Sequence, residues 1–261
     1  MQNISFHDNV QLAVTDKSDG NIDLRFSSKN EVRANRKKIL KTLDIQATNL
    51  IEGQQIHGTR ILPLNEENSK MWKGMNVTGV DGFVTDQDSI ALMLRVADCA
   101  ALVYYDPTHT AIGVFHAGWR GIAQGIQLEG VRQMMKHYET DPRELMVWIS
   151  PCAQKASYAF DTEPTQAKDP AWKEFISKSK GKWHIDLPGY VFASLNGEGV
   201  LKKNMSTSGV CTIDSPDYYS HTQSKNDNAD EGRCAVIVKI IKTIAEPKKI
   251  IGENDLEFEE D

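Results

Sequence analysis

A run from Ile90 to Tyr105 constrains this chain most, because it is almost wholly apolar and interrupted only by Arg95 and Asp98 before Asp106. Its Val, Leu and Tyr content suits a strand or two buried on both faces. A charged residue inside such a run needs a reason. The turn at Asp106-Pro107 is followed by a second apolar stretch, Ala111 to Phe115, which delivers His116 at its end. The connection is short enough for a hairpin, so Cys99 and His116 are expected on consecutive strands facing each other.

Elsewhere the periodicity changes. Residues 31 to 43 (EVRANRKKILKTL) place Val32, Ile39, Leu40 and Leu43 among charged residues, as a surface helix requires. After His116, Ile122, Ile126, Val131, Met134 or Met135 and Tyr138 fall near a 3.6-residue period, predicting one helix that Asp141-Pro142 ends. Further strands are expected at Leu145 to Ile149 and Cys234 to Ile241, with a polar, mobile loop at Gln223 to Gly232 before the second. This mixture predicts an α+β (mixed α/β) fold. No repeat or low-complexity linker divides the 261 residues, so one domain over residues 1–251 is the economical reading.

The four cysteines are widely spaced, with no CxxC, which predicts free thiols in a reducing, cytoplasmic setting. No stretch approaches the ~18 apolar residues of a membrane span. Net charge is -6, but residues 252–261 (GENDLEFEED) hold six carboxylates and no Lys or Arg. They read as a solvated, disordered acidic tail, and without them the charge is near zero. No basic excess remains to grip a nucleic-acid backbone.

His57, in QQIHGT, offers a third donor beside Cys99 and His116. Two imidazoles and a thiolate suit zinc, and three protein ligands leave a fourth position for water or substrate. Taken singly, a His or Cys in an apolar run is more often core filling, and the spacing matches no zinc finger. Asp98 reads either as a group orienting a nearby imidazole or substrate, or as a capped turn or buried ion pair. Gly118, Arg120 and Gly121 lie where a strand passes into a helix, a place where N–H groups and a guanidinium bind phosphate.

The motifs QIHGT (55–59), DGFVTDQDSIAL (81–92), VADC (96–99) and HAGWRG (116–121) resemble the bacterial proteins known as laccase-domain or polyphenol oxidase proteins, also described as peptidoglycan editing factors and purine nucleoside phosphorylases. Weaker similarity runs through ISPCAQKASYAFD, HIDLPGYV, GVCT, YYSH and EGRCAVIV. The resemblance implies a single domain of mixed β-sheets flanked by helices, with His57, Cys99 and His116 as catalytic zinc ligands. It also implies phosphorolysis of adenosine, inosine, guanosine and methylthioadenosine, and deamination of adenosine, with purine nucleosides and phosphate as partners. Arg120 is then the candidate for phosphate.

Two departures stand out. Where the family carries an arginine, a Gly-rich turn and Asn-Leu, this chain has Asp16, Lys17 and Asp23; where it carries Ser-aromatic-Arg, this chain has Ser220-His221-Thr222. With the triad intact, they predict a shift in substrate choice or rate. The competing readings are a copper-dependent polyphenol oxidase, a Cys99-dependent amidase or hydrolase of the cell wall, and a binding protein that keeps a structural zinc. True multicopper chemistry needs about ten ligating histidines in clustered pairs, and seven are present with no HxH.

Overall fold

Alternation along the apolar strands explains the architecture. In strand β7 (Ala91–Val96), Leu92, Leu94 and Val96 point into one apolar cluster while Ala91 and Met93 point into another. Strand β8 (Ala100–Asp106) sends Ala101, Val103 and Tyr105 to the first cluster and Ala100, Leu102 and Tyr104 to a third. A strand buried on both faces needs a layer on each side. The chain, a computed structural model describing residues 1–227 and 230–241, supplies four: helix, sheet, sheet, helix. The expected domain boundary at residue 251 and the acidic tail lie outside the described residues.

The first sheet runs β1 (Gln2–Asn3), β2 (Val10–Val14), β15 (Cys234–Ile240), β7, β3 (Leu50–Gln54), β5 (Asn76–Thr78). The second runs β14 (Met205–Thr207), β10 (Met146–Ile149), β8, β9 (Ala111–Ala117), β6 (Gly82–Thr85), β4 (Ile61–Leu64). Both mix parallel and antiparallel pairs, as β3 is parallel to β7 while β15 is antiparallel to it. A small third sheet joins β11 (Ala159–Phe160), β13 (Lys182–Ile185) and β12 (Ile176–Ser179). The fold class is the mixed α/β one expected, in one domain.

Helix α1 (Lys29–Thr42) covers the outer face of the first sheet, capped by the Ser28 hydroxyl, which accepts from Glu31 N–H. Its polar pair has a structural purpose. Asn35 donates to the Asn21 carbonyl and Arg36 to the Ile22 carbonyl, while Arg36 also grips Glu52 at 2.6 Å. Segment 21–25 is thereby tied to the helix. Helix α2 (Glu66–Trp72) lies between β4 and β5. On the outer face of the second sheet lie α3 (Trp119–Ala123), α4 (Ile126–Tyr138) and α5 (Leu187–Gly197).

Two expectations are corrected. The single helix predicted after His116 is two, because Gly125 takes φ 87°, a left-handed conformation that breaks the helical ladder. Within the loop expected from Gln223, the chain forms helix α6 (His221–Asp227), with the Ser220 hydroxyl accepting from Gln223 N–H as its cap. A polar stretch with a serine cap needs no apolar stripe to make two turns.

The core of the second sheet is built around Phe115 of β9. Its ring meets Tyr104 edge to face, centroids 4.7 Å apart. A Cβ at Gly82 would come 2.6 Å from that ring, and one at Gly130 of α4 2.9 Å from it. Glycines on a strand and on a helix thus leave the ring its room.

Candidate metal centre

His116 follows Phe115 and so points to the opposite face of β9, between the two sheets. Cys99 sits not on a strand but in the bend Ala97–Cys99, where the chain leaves β7 in the first sheet and enters β8 in the second. His57 is also off-strand, three residues beyond β3, with φ 64°. Gln55 holds that loop by imitating a strand: its amide donates to the Arg95 carbonyl at 2.7 Å and accepts from Arg95 N–H at 3.0 Å. The loop therefore stays docked on β7.

The three side chains converge. One ligand atom from each of His57, Cys99 and His116 lies within 4.8 Å of the other two, and the two imidazoles meet edge to face at 4.7 Å. Donors around a tetrahedral zinc stand about 3.5 Å apart, given Zn–S and Zn–N distances of about 2.3 and 2.0 Å, so the set fits such an ion with a small contraction. Among the described residues it is the one group of three or more such side chains placed to hold a metal.

Asp81, fully buried ahead of β6, organises this geometry. Its carboxylate accepts from the backbone N–H of His57 at 2.8 Å and Gly58 at 2.9 Å, and from Ile56 at 3.1 Å. The same group meets His116 Nδ1 at 2.9 Å, which leaves Nε2 of that ring free to ligate. One carboxylate thus sets the backbone of one ligand and the ring of another. Burial pushes the Asp81 carboxyl up, but the His116 hydrogen bond and those from Gly58 and His57 outweigh it and hold it below the usual range.

Electrostatics also prepares the thiol. Burial raises the Cys99 pKa, yet the charge of His116 and hydrogen bonds from His116 and His57 bring it down to about 6. For His116, burial acts downward, but Cys99 and Asp81 hold the ring up at about 9. Each partner thus favours the charged form of the other, and a thiolate is the form that binds metal.

Asp98 does not orient an imidazole, as one expectation had it. Asp81 does. Asp98, with φ 76°, accepts from the Thr212 hydroxyl at 2.8 Å and from Thr222 N–H at 2.7 Å, bracing the C-terminal segments against the bend that carries Cys99. Thr222, one of the departures from the family pattern, acts here through its backbone.

The triad opens into a cavity of about 550 Å³ lined also by Asp23, Arg25, Gln54, Gln55, Arg95, His221 and Arg233. Arg25 grips Asp23 at 2.8 Å, and the Arg25 and Arg233 guanidiniums lie 5.2 and 4.4 Å from the Phe26 ring. His221 meets Glu231 at 2.7 Å. Arg120 is not part of this lining; its exposed guanidinium lies over Trp119, 4.4 Å from the ring centre. The cavity arginines and Asp81 escaped the sequence reading. Arg95, a charge in an apolar run, was the visible sign of the former, and the buried-strand motif DGFVT of the latter.

Gly118 is the tightest point. A Cβ there would lie 2.9 Å from both Cys99 Sγ and His57 Cδ2. Gly118→Ala is expected to spread the candidate ligands and weaken metal binding about tenfold or more, with little loss of fold stability. Competition with a chromogenic chelator reads this; unchanged affinity would show that the loop yields.

The layered fold with a His/Cys/His corner between its sheets defines a class, a mixed α/β domain with one candidate metal centre among the described residues. Residues 18–241 match the family described as multi-copper polyphenol oxidoreductase laccase, and the chain belongs to that family. It is 27% identical over 213 residues to the Bacillus subtilis protein named purine nucleoside phosphorylase YlmD, covering 78% of this chain and 75% of that one. It is likewise 27% identical over 220 residues to a purine nucleoside phosphorylase of Deinococcus radiodurans, covering 84% and 81%. The crystal structure of YlmD from Geobacillus stearothermophilus superposes with a TM-score of 0.80 at 23% identity, covering 92% and 94%. Bacillus licheniformis YfiH gives 0.77 at 22% identity, covering 88% and 92%. No helix among the described residues is long and apolar enough to cross a membrane.

Proposed function

We propose that this chain is a zinc-dependent purine nucleoside phosphorylase that also phosphorolyses methylthioadenosine and deaminates adenosine. The observation that carries this reading is the single cavity that joins the His57, Cys99 and His116 donors to three arginines. Its volume suits a nucleoside. Phosphorolysis adds phosphate at the anomeric carbon as the purine departs with the bond's electron pair, and deamination exchanges the 6-amino group for a water oxygen with release of ammonia.

His57, Cys99 and His116 would hold the ion, with Asp81 fixing the His57 backbone and the His116 ring. Bound there, zinc would supply a Lewis acid. Arg25, Arg95 and Arg233 offset the phosphate charge so that an oxygen can approach the sugar carbon. Arg120, which the motif pointed to, is the rival phosphate ligand. Asp23 partly neutralises Arg25 and Arg95, which supports altered rate or substrate choice relative to relatives with an amide there.

A second reading rests on the Cys99 thiolate facing His116, the arrangement of a nucleophilic amidase or hydrolase. Metal analysis separates the two, since a ligated thiolate is a poor nucleophile. Copper polyphenol oxidase chemistry has the family description for it, but one three-donor group among the described residues falls short of a multicopper cluster.

The test is metal content together with product analysis on adenosine and inosine in phosphate. Near-stoichiometric zinc with free base or deaminated nucleoside is expected, whereas bound copper without nucleoside turnover would overturn the proposal. Within the same assay, Arg233→Gln is expected to raise the KM for phosphate about tenfold or more, the worth of a charged hydrogen bond, and Arg120→Gln to change it little. The reverse order would move the phosphate to α3.

A further inference from the structure

All four cysteines are free, and two of them are direct partners across a backbone bridge. Cys152, beyond the end of β10, and Cys211, beyond β14, form a parallel bridge. Cys152 N–H donates to the Val210 carbonyl at 3.2 Å, and Thr212 N–H to the Cys152 carbonyl at 3.1 Å. Neighbouring strands stand about 4.8 Å apart, and directly paired residues put their side chains on the same face. That separation falls within the roughly 4.4–6.8 Å between Cα atoms that a disulfide accepts.

The two thiols differ in access. Cys152 is buried, with the Gln154 amide 3.3 Å from its sulfur, whereas Cys211 is partly exposed. Burial, then the nearby sulfurs of Cys211 and Cys99, push the Cys152 thiol up. Cys211 therefore meets a reagent first, and Cys152 can act only on what Cys211 presents to it.

We propose that Cys152 and Cys211 form a redox-modification site, oxidised to an intrachain disulfide by a low-molecular-weight disulfide of the glutathione type. The Cys211 thiolate attacks one sulfur of glutathione disulfide, forming a mixed disulfide and releasing one glutathione thiolate. The Cys152 sulfur then attacks the Cys211 sulfur, its proton passing to the second departing glutathione. Two protein thiols lose two electrons, and one glutathione disulfide gains them.

The bond would join the two segments that hold Asp98. Ala153 N–H donates to the Asp98 carbonyl at 2.9 Å, and the Thr212 hydroxyl donates to its carboxylate. Oxidation thus staples the brace beside Cys99 while leaving Cys99 to its two imidazoles. This inference does not depend on the nucleoside reading.

The experiment incubates the full-length protein, supplied with zinc, in glutathione buffers of rising oxidation. Free thiols are then capped with N-ethylmaleimide and the peptides mapped by mass. A Cys152–Cys211 linked peptide is expected as the main oxidised species, with Cys99 and Cys234 capped. Cys152→Ser is expected to stop with glutathione on Cys211, and Cys211→Ser to form no intrachain disulfide. Unmutated protein that accumulates glutathione on Cys211 while Cys152 stays capped would overturn the proposal, as would a bridge from either residue to Cys99.

Discussion

Cys99→Ala is expected to lower the proposed nucleoside phosphorolysis by about a thousandfold, the scale on which loss of one preorganised electrostatic group is felt. The thiolate is the anionic donor of the trio, and two neutral imidazoles hold a divalent ion far less well. Bound metal should fall in parallel, while cooperative unfolding persists because the side chain sits in a bend and not in the core. Asp81→Asn offers a graded comparison. It keeps every ligand but replaces a carboxylate that accepts from three backbone N–H groups and meets the His116 ring, and metal affinity should drop about 10- to 100-fold. Turnover by Cys99→Ala equal to that of unmutated protein would end the metal-centred account of the activity.

Phe115→Ala should have the largest effect on stability, about 4 kcal/mol, within the range for removing a buried aromatic ring. Its ring is fully enclosed, and the glycines that make room for it carry nothing that could move in to fill the void. A typical domain has only about 5–15 kcal/mol in hand. Urea titration should show a lower midpoint at unchanged slope. A loss below about 1 kcal/mol would mean that the second sheet and α4 collapse onto the space. Because His116 adjoins Phe115, metal binding measured on the surviving folded fraction shows whether the strand keeps its register.

The strands that carry the site were legible because two-sided burial leaves a mark: an unbroken apolar run, a turn, and a second run. The destination of those strands was not. Nothing local in VADCAAL reveals that the residues before Ala97 and those after Cys99 join different sheets, since a strand sees only that both faces are dry. For the same reason Asp98, adjacent to Cys99 in sequence, drew the role that belongs to Asp81. The partners of Asp81 lie 24 and 35 residues away, and a contact of that span leaves no periodicity. The cavity arginines were hidden likewise, since Arg25, Arg95 and Arg233 come from a loop, a central strand and the segment leading into β15, and meet only when the first sheet is assembled. α6 was missed for a local reason, its hold on the serine cap rather than on an apolar stripe.

The corner Ala97–Cys99 couples the position of the thiol to the seating of one sheet on the other. Drift in the sandwich would therefore carry the thiol away from the two imidazoles. Part of the cavity rim lies outside that coupling: segment 21–25 hangs from α1, and Arg233 from the approach to β15. That part of the rim can accordingly change without moving the thiol, and Asp23 lies on this side of the division, whereas the Thr222 N–H, bonded to Asp98, lies on the other.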